Sequence, residues 1–120
     1  MTDNRTDRPR IFVIDDGRHA AYLYQFEPPV APEDVTFTVD QLANSGVDTL
    51  LLSVALEGGA ATYDSQVAPK WGDNVDMWTH SVWYRAARNL HQLIDDGHDP
   101  LQLAIDRCRA RGLWLLPGSW

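Results

Sequence analysis

The stretch Thr49-Leu50-Leu51-Leu52-Ser53-Val54, which ends near Glu57-Gly58-Gly59, decides the fold. A short apolar run without polar alternation has the pattern of a parallel strand buried on both faces. Outward from it, two shorter runs have the same form. Ile11-Phe12-Val13-Ile14 is halted by Asp15-Asp16-Gly17, and Leu113-Trp114-Leu115-Leu116 ends at Pro117-Gly118. None of the three alternates, so all are expected to be covered on both faces.

Helices fit between these runs. Pro32-Glu33-Asp34 predicts a helix start, with Val39, Leu42 and Ala43 at helical spacing and Gly46 in the place of a C-terminal cap. From Ser81 to Asp96, the residues Val82, Ala86, Leu90, Leu93 and Ile94 share one face, and Gly97 closes the helix. Asp99-Pro100 supplies an N-cap followed by proline at the first helical position. Leu101, Ala104, Ile105 and Cys108 continue as an apolar stripe up to Gly112. The last two helices are nearly contiguous, so one of them is expected to be an excursion on a strand-to-helix loop. Strands alternating with helices predict parallel pairing through right-handed crossovers. The fold class is therefore α/β, the first three βα units of a (β/α)8 barrel. A complete barrel needs about 250 residues, and the third strand would be left as an unprotected edge, so truncation is expected. Residues 1–10 read as a disordered leader and 11–120 as the partial barrel domain.

Apolar residues make up 44% of the 120 and charged residues 22%, which is ordinary for a folded domain. Seventeen acidic against ten basic side chains leave a net charge of -7, which disfavours nucleic acid or an anionic membrane as the main partner. Cys108 is the sole cysteine, so no internal disulfide exists, and its helical setting predicts a small buried packing residue. Residues 1–10 carry no apolar signal core, and nowhere do about 18 apolar residues run together. Cytoplasmic placement is the resulting expectation.

Ligands of parallel α/β folds meet the carboxyl ends of the strands. Those ends carry Asp15 and Asp16, then Ser53 through Gly59, then Gly118, Ser119 and Trp120. The acidic pair could bind sugar hydroxyls, hold a metal or transfer protons. The structural alternative is that one carboxylate caps the turn before Gly17 and the other is solvated. The stretch from Gly58 to Trp83 predicts a loop of roughly two dozen residues, and loops of that length are often functional. It holds Tyr63, Asp64, Trp71, Asp73, Asp76, Trp78, His80 and Trp83. Indole faces beside carboxylates suit a carbohydrate: the apolar face of the ring stacks and the hydroxyls find acceptors. The same tryptophans could instead pin the loop to the domain, and for Trp83, at a helix start, packing is the favoured role. The candidate substrate-binding residues are Asp15, Asp16, Tyr63, Asp64, Trp71, Trp78, Ser119 and Trp120. His19, His80, His91 and His98 show no metal-ligand spacing, and no phosphate-binding, dinucleotide or nucleophile-elbow motif is present, so no metal or cofactor is expected.

The passage from Asp99 to Leu113, Asp99-Pro100-Leu101 through Ala110-Arg111-Gly112-Leu113, resembles the helix and "R-G-strand" passage of TIM-barrel glycoside hydrolases before their third strand. The block Val39 to Leu50, with Gly46-Val47-Asp48-Thr49, is similar to the same family's lead-in to its second strand. Together the two passages make up 27 of the 120 residues, and "R-G-strand" marks many TIM barrels. The resemblance implies hydrolysis by two carboxylates on opposite sides of a glycosidic bond, placed on later strands, and it assigns no catalytic residue here. It also implies that the remaining barrel strands, or another chain, cover the third strand. A receiver-like signalling domain is the alternative, but Ser53 stands where its phospho-accepting aspartate would, and no lysine follows Lys70. A non-catalytic binding module is the third reading.

Overall fold

A computed structural model describes residues 11–17, 20, 22–56 and 59–119. Strand β1 (Phe12–Asp15), helix α1 (Pro32–Leu42), strand β2 (Thr49–Ala55), helix α2 (Ser81–Asp95), helix α3 (Pro100–Ala110) and strand β3 (Trp114–Ser119) follow in that order. A 3-10 turn at Tyr22–Gln25 lies between β1 and α1. The chain is α/β, as its patterning predicts, and its sheet is parallel with spatial order β1-β2-β3.

Asp48 ties the three strands together at their starts. Its carboxylate accepts from Ile11 N–H at 3.3 Å and from the Thr49 hydroxyl at 2.7 Å. Its own N–H donates to Ile11 O at 3.1 Å, and its carbonyl receives Trp114 N–H at 2.9 Å. The Gly-Val-Asp-Thr stretch thereby sets the register Phe12–Thr49–Trp114 across the sheet.

Alternation along β2 directs Leu50, Leu52 and Val54 to one face, where they meet Val39 of α1, Ala104 and Cys108 of α3, and Leu113 in one buried cluster. Arg107 Nε donates to Asp40 Oδ1 at 2.6 Å and joins α3 to α1 over this core. That hydrogen bond, with the guanidinium charge, holds the Asp40 carboxyl below its ordinary range. The opposite face differs from the expectation of two covered faces. Phe12, Ile14 and Leu116 are 48%, 71% and 41% exposed there. Strand patterning reports that a side chain is apolar, and it cannot report whether its partner is present.

The helix boundaries differ slightly from those predicted. Helix α1 stops at Leu42, because Asn44 and Gly46 both take positive φ. Strand β3 runs through Pro117 and Gly118 to Ser119, as an edge strand permits. Asp99 caps α3 through Leu101 N–H at 3.1 Å. Helix α2 is the excursion: its core is Leu90 and Leu93 against Leu23, Val30 and Val35, so it packs on the β1–α1 connection. The leader and Trp120 lie outside the described residues.

Candidate functional site

Beyond the carboxyl ends of β1 and β2 lies a cavity of about 510 Å³. Gly17, directly after β1, and Leu56 with Ala60, directly after β2, line its base. Gly17 has φ +109°, a conformation that glycine takes without strain, and it lies against the Leu56 side chain, where a Cβ would stand 2.7 Å from Cδ2. Asp16 stands at the border, and Trp71, Trp78 and Trp83 form the walls.

The loop after β2 is held by backbone pairing despite its lack of regular patterning. Thr62 N–H donates to Val54 O at 2.9 Å, while Ala61 N–H reaches Pro69 O and Trp71 N–H reaches Ala61 O, both at 2.8 Å. These bonds carry Trp71 back over the strand ends. His91 Nε2 of α2 lies 3.0 Å from Trp71 O and 3.5 Å from Asp73 Oδ1. Gly72, at φ +99°, then brings the chain against α2: a Cβ there would lie 2.9 Å from Ala87 Cβ and 3.3 Å from the Trp78 ring. The indoles are braced as edge-to-face pairs, Trp71 with Trp83 at 6.4 Å and Trp78 with Tyr84 at 5.9 Å.

The predicted residues divide into separate places. Asp16, Trp71 and Trp78 meet in the cavity. Asp15 is buried, and its Oδ1 accepts from Gly17 N–H at 3.1 Å, the turn-capping geometry offered as the structural alternative; Asp16 is exposed. Tyr63 packs against the cluster beneath α1 and α3, and Asp64 N–H donates to the α3 cap Asp99 at 3.4 Å. Neither lines the cavity. Ser119 is exposed at the end of β3, also away from the cavity, and Trp120 lies outside the described residues. His19, Glu57 and Gly58 lie outside them as well.

The lining also includes Val75, Met77 and Trp83. For Trp83, where packing is the favoured role, packing and cavity lining coincide. Met77 and Val75 carry no signal in the sequence, since a loop has no period from which a facing side could be read. Among the described residues, no three His, Cys, Asp or Glu side chains converge as metal ligands, and no helix is long and apolar enough to cross a membrane. No protein-family model and no curated protein matches the chain.

Proposed function

We propose that this chain forms the first three βα units of a (β/α)8-barrel protein that binds or hydrolyses a carbohydrate. The observation that carries the reading is the tryptophan-walled cavity at the carboxyl ends of β1 and β2, with Asp16 among its lining residues. Barrel enzymes bind ligands at this end, where loops after the strands supply the contacts. A pyranose ring would stack on an indole and offer its hydroxyls to Asp16, Asn74 or Thr79.

The barrel half of the proposal is supported by the winding. Successive strands lie side by side in the order β1-β2-β3, whereas a receiver-like sheet has β1 between β2 and β3. Helices α1 and α3 cover one face, and the other carries Phe12, Ile14 and Leu116 as a barrel lumen requires. A groove lined by Ile14, Phe37 and Gln41 runs beside β1, which is an edge strand of the sheet, where the last strand of a closing barrel would pair. The catalytic carboxylates belong, in this reading, to later strands, so these units alone are inactive. Cytoplasmic placement is part of the same reading.

Titration of intrinsic tryptophan fluorescence with neutral cello-, xylo-, manno- and malto-oligosaccharides tests the function. At least one series should shift the emission, and Trp78→Ala should weaken that binding by roughly tenfold, the loss of one stacking surface. No response from any of these series, or from amino-sugar oligomers, at millimolar concentrations would remove the carbohydrate reading.

A further inference from the structure

We propose that the cavity over β1 and β2 is a cage for an organic ammonium group, so that the sugar it accepts carries a protonated amine. The sugar half rests on the carbohydrate reading above; the ammonium half rests on the cavity alone.

The discriminating feature is the angle between the aromatic walls. The Trp71 and Trp83 rings stand at 86° to each other, with centroids 6.4 Å apart, and Trp78 forms a further wall. A flat pyranose face can stack on one of two perpendicular indoles and meets the other only edgewise. A compact, near-spherical ammonium group touches both in the corner they make. Each indole face carries negative quadrupole potential, and tryptophan is the strongest aromatic partner for a cation. The Met77 side chain, 78% exposed and polarisable, adds a soft contact for N-methyl or methylene groups.

Charge points the same way. Among the described lining residues Asp16 is the acidic side chain and His80 the one basic side chain, a histidine, so above the range where imidazole titrates no fixed positive charge stands among them. The chain as a whole carries -7, so its field raises the local concentration of cations and repels uronates and sugar phosphates. Braced by Tyr84 and by the His91 contact to Trp71 O, the walls are positioned before any ligand arrives.

The test compares glucosamine oligomers, their N-acetylated counterparts and tetramethylammonium chloride by tryptophan fluorescence, with sodium chloride at matched ionic strength as the blank. Glucosamine oligomers should bind roughly tenfold more tightly than the acetylated ones. That preference should vanish once the pH passes the amine's own pKa, and Trp71→Phe should reduce it more than Gln66→Glu does. Equal affinity, or preference for the acetylated oligomers, overturns the ammonium cage and leaves the carbohydrate reading standing. Binding of tetramethylammonium without any sugar supports the cage and overturns the carbohydrate reading. Silence from all three overturns both.

Discussion

Cys108 shows how far one side chain's chemistry is set by its surroundings. It is buried among Leu50, Leu113 and Val39, and this burial pushes its thiol up from 9.0 to about 11. The thiolate is the form that burial penalises, so the folded chain holds the proton longer than the unfolded one. Stability from this source is therefore complete below about pH 9 and is lost as the pH rises through about 11. Urea midpoints of the wild type and Cys108→Ala, compared across that window, should converge as the pH rises, because the variant has no thiol to titrate. A difference that stays constant with pH would show that the site is not desolvated. The native thiol should also resist alkylation at neutral pH. Burial of this residue was legible in the sequence, since Leu101, Ala104, Ile105 and Cys108 share a helical stripe.

At the scale of elements, the polar face of α2 has a role that its amphipathic pattern does not announce. Asn89, 1% exposed, donates both amide hydrogens, to Leu23 O at 2.7 Å and Phe26 O at 3.0 Å. Arg85 adds two bonds to Phe26 O at 3.1 and 2.9 Å. Gln92 pairs with both Val30 N–H, at 2.7 Å, and Val30 O, at 3.2 Å. Side chains one helical turn apart thus add partners to a 22–30 segment whose only regular structure is one 3-10 turn. Asn89→Ala would leave buried carbonyls with fewer donors and should cost about 1–3 kcal/mol, measured by urea unfolding. Amide exchange should accelerate in residues 22–30 more than in β2. Uniform acceleration would mean that α2 does not hold this segment locally. The helix itself was readable from its period, but its partner was not, because contacts between residues some 60 positions apart leave no local pattern.

At the scale of the whole molecule, the exposed sheet face is the decisive feature. Ile14, 71% exposed here, would lie in the lumen of a closed barrel. If the sheet closes into a barrel, Ile14→Glu should cost about 3 kcal/mol or more in that protein, the penalty for a buried unpaired carboxylate. Gln66→Glu, on an exposed loop, should be close to neutral. Thermal unfolding of the two variants makes the comparison, and near-neutral behaviour of both would place Ile14 in solvent and defeat the barrel reading.

The sequence by itself determined that the chain alternates strand and helix, that the strands run parallel, and where most elements start and stop. Those properties follow from apolar period, proline and glycine conformation, and capping chemistry, which act over a few neighbouring residues. Only the tertiary structure decided that one sheet face stays open, that Asp15 turns inward while Asp16 borders the cavity, and that Trp83 and Met77 join Trp71 and Trp78. These depend on how a loop folds back across strand ends and docks on a helix. Backbone pairing and steric fit at Gly17 and Gly72 govern that step, and neither is encoded in a local period.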